Sequence, residues 1–139
     1  MSQQYVQAFN NQFEELVEDI ERIFPNDSEI SSASRGLKNL RRISPKLIIK
    51  VFYEYVDKPY GMYIHDNNLQ FFLDKDYRED LGTTMFSGEI LSKIEVIKNP
   101  ISKMEADQQN TVLKYFQNLC NLSTLYNNHR LGLKIQTDK

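Results

Sequence analysis

A chain of 139 residues, 40% of them hydrophobic and with a formal net charge of −2, is long enough for one domain with one real core. The near-neutral balance excludes a bulk polyanion binder, and five Gly and four Pro leave little punctuation for an all-β fold. A single cysteine, Cys120, excludes an intrachain disulfide and fits a reducing compartment.

The first element in chain order is an amphipathic helix. Val6, Phe9, Phe13, Leu16, Val17, Ile20 and Phe24 recur at spacings of three and four, so they share one face. Glu14, Glu15, Glu18 and Glu21 lie on the other, and Pro25 stops the helix. Asn26-Asp27-Ser28 is an N-cap cluster that opens a second helix over 28–43, with Ile30, Ala33, Leu37 and Leu40 as its apolar stripe. The short joint makes the first two helices an antiparallel pair.

Ser44-Pro45 signals a third start, with Ser as N-cap and Pro at the first helical position. Leu47, Ile48, Val51, Phe52, Tyr55 and Val56 follow. They make this helix apolar over more than half its circumference, hence central, and Lys58-Pro59 ends it. Residues 60–88 read as the irregular part, with a short helix near Leu69, Phe72 and Leu73. A loop over 82–88 carries Met85 and Phe86, which have no periodic partners and are candidate exposed apolar contacts. From Glu89 the helical pattern resumes, with a break or kink expected at Pro100. The last long helix covers 106–127, with Val112, Tyr115, Phe116, Leu119, Leu122 and Tyr126 in its stripe. The sum is a single all-α domain over 1–139: a compact bundle of about five helices, with frayed ends near 1–4 and 128–139.

No motif for chemistry stands out. His65, Asp66, Cys120 and His129 have no metal-ligand spacing, and Asp74 to Asp80 lacks the glycine of a calcium loop. No glycine-rich phosphate loop or nucleophile elbow is present. Glu14, Glu18 and Glu21 share a helical side but read as solvated surface, and Cys120 reads as an inert core thiol. An enzyme would need a pocket gathering groups such as His65, Asp76, Tyr77 and Arg78. The expectation is therefore a non-enzymatic protein with no cofactor and no metal.

Charge is unevenly spread. Residues 14–29 hold seven acids against Arg22, whereas residues 35–50 hold six bases and no acid. Arg35, Lys38 and Arg42 form a stripe on the second helix, Arg41 sits at its apolar edge, and Lys46 and Lys50 extend it. Arg35, Lys38, Arg41, Arg42 and Lys46 are the candidate contacts for an acidic partner or for phosphate. The bland reading is a solvated face partly neutralised by the first helix.

FNNQFEELVEDIERIFPND, SPKLIIKVFYEYV, FFLDKDYREDL, ILSKIEVIKNPISKM and KYFQNLCNLSTLY, in this order, span Phe9 to Tyr126. Together they resemble a small helical protein of the nucleocytoplasmic large DNA viruses, of the phycodnavirus and mimivirus-like group. The markers, such as Phe24-Pro25, Pro100-Ile101 and Gln117-Asn118-Leu119, are landmarks and not catalytic motifs. The resemblance implies a virus replicating inside a eukaryotic cell. It also implies a structural or protein-interaction role, as a virion-associated minor capsid or core component. A nucleic-acid-binding accessory protein using the second-helix stripe is the alternative. Protein partners or self-association are expected. No apolar run reaches the ~20 residues needed to cross a bilayer, and MSQQYVQAFNNQ has no secretory signal pattern. Neither membrane insertion nor secretion is expected, and the site of action is the host cytoplasm, the virus factory or the virion.

Overall fold

The computed structural model describes residues 2–77 and 85–130, without the side chains of residues 2 and 85–87. Among the described residues the fold is all-α with no strand. The helices are α1 (Ser2–Ile23), α2 (Ser28–Ile43), α3 (Leu47–Phe52), α4 (Lys58–His65), α5 (Gln70–Asp74), α6 (Met85–Ser102) and α7 (Ala106–Arg130), with a π-helical turn, Tyr53–Asp57, between α3 and α4.

The first two helices form where the apolar spacing puts them. The α1 stripe from Val6 to Ile20 is buried, and Asp27 caps α2 through its carboxylate, which accepts the N–H groups of Glu29 and Ile30 at 3.0 and 3.3 Å. At the other end of α2 the sequence reading needs correction. Ser44 does not cap the third helix with its side chain. It closes α2 by donating its backbone N–H to the Leu40 carbonyl at 2.8 Å, and α3 begins only at Leu47.

Lys58-Pro59 does not end the third helix either. The backbone stays right-handed helical from Phe52 through Tyr53, Asp57 and Lys58, and helix continues to His65. Proline has no N–H and its ring crowds the carbonyl four residues back, here that of Tyr55. The π-turn relieves this: Lys58 donates five residues back to Tyr53. The orphaned Tyr55 carbonyl is taken by the Tyr77 hydroxyl, which returns to the core from beyond α5. The chain is thus helical from 47 to 65 where a loop was expected from Tyr60.

Two further expectations change. Pro100 does not break α6, which runs two residues past it before Lys103 and Met104 close the turn onto the carbonyls of Pro100 and Ile101. Met85 and Phe86 are not in a loop, because α6 starts at Met85. Their side chains, and the segments 78–84 and 131–139, lie outside the described residues.

The core is organised around Phe52. Its ring lies 5.1 Å from Phe9, 6.3 Å from Phe13 and 6.1 Å from Phe116, and Phe116 in turn lies 4.9 Å from Phe72. One ring therefore ties α3 to α1 by edge contacts and to α7 by a stacked one, and through the tilted Phe116–Phe72 pair to α5. α3 touches α1, α2, α6 and α7, as its apolar circumference predicts. α1 and α7 pack along each other, closing the bundle.

Two helical glycines separate loose from tight packing. A methyl added at Gly61 meets Asp57 Oδ1, a carboxylate held by two hydroxyls of α7. A methyl at Gly36 meets only the flexible tip of Lys93. Gly61→Ala is expected to lose about 1–3 kcal/mol in denaturant unfolding. Gly36→Ala should stay within about 0.5 kcal/mol or gain stability, because alanine favours helix.

Candidate functional site

The basic residues of α2 divide once α1 is packed beside them. Lys38 pairs with Glu18 at 3.1 Å and Arg41 with Glu14 at 3.2 Å, while a second Arg41 nitrogen donates to Asn11 Oδ1 at 2.8 Å. Glu14 and Glu18 thus face α2 as well as solvent. Exposed pairs of this kind contribute about 0–1 kcal/mol each, so their effect is chiefly to cancel charge. Arg35, Arg42 and Lys46 are exposed, with Arg42 held along its own helix by Asn39 Oδ1.

His65 ends α4, whose last turn is bonded to the middle of α7 through Gln117, whereas His129 lies near the end of α7 against Tyr5. Among the described residues no three of His, Cys, Asp and Glu form a group that could hold a metal ion. Cys120 is fully buried. Burial, reinforced by the charge of Asp57 and a hydrogen bond to it, pushes its thiol well above the ordinary range. Arg78 lies outside the described residues.

Two buried polar clusters were invisible in the sequence. Asp57, in the π-turn, accepts hydrogen bonds from Ser123 Oγ at 2.7 Å and Thr124 Oγ1 at 2.5 Å, fastening the turn to α7. Lys98 on α6 is buried between the rings of Phe72 and Tyr77, with its ammonium 5.4 and 4.7 Å from their centroids. It pairs with Glu95 at 3.3 Å and donates to the Lys75 carbonyl, while Glu95 also accepts the Tyr77 N–H. Burial lowers the Lys98 pKa, opposed by the Glu95 charge. A lysine at i and a glutamate at i−3 on a helix are the visible part of this cluster. The carbonyl that completes it comes from a distant segment.

Among the described residues, Tyr63 and Phe71 form an exposed aromatic pair. Met62, Tyr63 and Phe71 are 81%, 42% and 51% exposed, and the Tyr63 and Phe71 rings meet at 4.5 Å. The joint beneath them is rigidly built: Gln117 of α7 donates to the Ile64 carbonyl at 2.9 Å and to Asn67 Oδ1 at 3.0 Å. Asn67 adopts φ 65°, the left-handed turn that asparagine tolerates. The side chains of the candidate contacts Met85 and Phe86 lie outside the described residues.

Two open grooves lie where the start of α3 and the segment before it meet the end of α7. One, about 380 Å³, is lined by Lys50, Tyr53, Glu54, Tyr55, Tyr126, Asn127 and Arg130, among others. The other, about 530 Å³, is lined by Gln3, Gln7, Asn10, Arg41, Lys46 and His129, among others. Asn10 is oriented by donating to the Pro45 carbonyl at 2.9 Å.

Among the described residues no helix is long and apolar enough to cross a membrane. Comparison with known proteins finds no matching family model, no matching curated protein and no matching solved structure. The class the fold defines is therefore a mixed-length helical bundle, and function has to be argued from its surface.

The buried groups give two expected outcomes. Cys120 should resist alkylation in the folded protein and react at once in denaturant, as counted by mass spectrometry. For Lys98, a folded pKa below 10.5 means the unfolded chain binds more protons in the window just beneath 10.5. Stability should therefore rise with pH there. Lys98→Met should remove that rise relative to the unsubstituted protein. Glu95→Gln, which leaves the ammonium unpaired, should lose about 2–3 kcal/mol at neutral pH.

Proposed function

We propose that the protein is a non-enzymatic structural or interaction module that docks through the Met62–Tyr63–Phe71 cluster. The observation that carries this reading is the exposure of three large apolar side chains on a joint pinned by Gln117. Single exposed apolar residues are ordinary, but an exposed ring pair in contact, with an exposed methionine adjacent in sequence, is the kind of surface a partner covers. Aromatic and methionine side chains are the types enriched at such surfaces. In the setting that the resemblance implies, the partner is another component of a large DNA virus or a second copy of this chain. The protein is then virion-associated, as a minor capsid or core component.

The second-helix stripe supports a nucleic-acid role less well, because α1 sets Glu14 and Glu18 against Arg41 and Lys38. Light scattering over a range of protein concentrations, with a photo-crosslinking residue at position 71 in the cell that makes the protein, tests the main reading. The expected result is a concentration-dependent rise in mass or a specific crosslink from position 71 and none from position 35. Met62→Ser, Tyr63→Ser and Phe71→Ser together should abolish it while leaving the melting temperature within a few degrees. A protein that stays monomeric and forms no crosslink from position 71 sinks the proposal.

A further inference from the structure

We propose that the two grooves at the start of α3 and the end of α7 form a track for single-stranded nucleic acid, running from Lys46 over Lys50 to Arg130. The first argument is how the sequence distributes its acids. Residues 2–13, 30–53 and 108–130 contain no Asp or Glu. These stretches supply the start of α1, nearly all of α2 and α7, and all of α3; the start of α1, the end of α2, the start of α3 and the end of α7 line the two grooves. Of the acids beside these grooves, Glu14 is paired with Arg41 at 3.2 Å, and Glu54, which lines the 380 Å³ groove itself, is paired with Lys58 at 3.5 Å. A molecule with net charge −2 thus presents a locally cationic surface.

The second argument is geometry. Lys46 and Lys50 are four residues apart at the start of α3 and so lie on one side of it. Lys46 lines the 530 Å³ groove, and Lys50 lines the 380 Å³ groove together with Arg130. The two grooves are therefore joined by cations in a row, with His129 beside the first and Arg130 beside the second. Arg130 is held by a hydrogen bond from Nη2 to Asn127 Oδ1 at 3.0 Å, which orients its guanidinium. A row of cations between two open grooves suits an extended polyanion better than one enclosed phosphate. The half-buried rings of Tyr53 and Tyr55, in the same groove as Lys50 and Arg130, select among polyanions. Flat aromatic faces between cations stack bases, which an acidic peptide lacks.

This track differs from the α2 stripe. Arg35 and Lys38 do not line either groove, and Arg41 lines the 530 Å³ one with its charge already met by Glu14. It is also independent of the aromatic cluster on α4 and α5. Fluorescence anisotropy of a short labelled oligothymidine at low and rising salt tests it, with polyglutamate as competitor. The expected result is binding whose logarithm falls with log salt at a slope of about −2, the value for three phosphates neutralised on a single strand. Lys50→Glu with Arg130→Glu should weaken binding about tenfold or more, whereas Arg35→Glu with Arg42→Glu should leave it nearly unchanged. Tyr53→Ser should weaken it without changing the slope. Circular dichroism checks that each variant is folded, and all the charge reversals are at exposed positions. No binding at low salt overturns the proposal, as does an equal loss in the Arg35/Arg42 variant. Displacement of the oligonucleotide by polyglutamate at equal charge also overturns it and assigns the track to an acidic protein segment.

Discussion

One missing hydrogen atom organises the middle of this protein. Pro59 has no N–H to give the Tyr55 carbonyl, and an unpaired carbonyl near the core is unfavourable by about 1–3 kcal/mol. The chain answers with a π-turn and with Tyr77, whose hydroxyl takes that carbonyl. Once Tyr77 is there, its ring forms one wall around Lys98 and its N–H meets Glu95. Asp57, at the end of the same turn, faces α7 and is gripped by Ser123 and Thr124. The contacts of α3 and α4 with α5, α6 and α7 thus share one backbone adjustment.

The second ordering principle is electrostatic. Acids and bases are separated along the chain, and folding sets part of one group against part of the other. The middle of α1 neutralises part of α2, while Lys46, Lys50 and Arg130 line two grooves at the start of α3 and the end of α7. Lys46 and Lys50 stand at the start of the helix that runs on to His65, and Met62 and Tyr63 stand near its end.

Much of this was legible because it is periodic. The α1 stripe, the α2 limits at Ser28 and Ile43, and the start of α7 at Ala106 follow from apolar spacing and a carboxylate cap, which are local signals. Ser44 was legible as a boundary but not as to which helix it serves, since a backbone N–H closes α2 whatever the side chain. Pro59 was misread because the rule that proline ends helices is local, and a distant group, the Tyr77 hydroxyl, takes the carbonyl it leaves. At Pro100 the expected break is absent, since α6 runs two residues past it. The cluster of Met62, Tyr63 and Phe71 was hidden behind the error at Pro59, because residues assigned to a loop have no face to expose. The Lys98 site was hidden because burial of a lysine is decided by the segments folded over it.

The π-turn has a consequence in angular phase. One extra residue in a helical turn rotates everything after it by about 100° relative to an uninterrupted α-helix. Ile64 points inward, and Met62 and Tyr63 outward, because Tyr53–Asp57 accommodates that extra residue. The π-turn is therefore the place where the chain absorbs one surplus residue. Removing that residue would leave plain α-helix with Ile64 still facing inward, so what would change is the local turn and not the face that α4 presents.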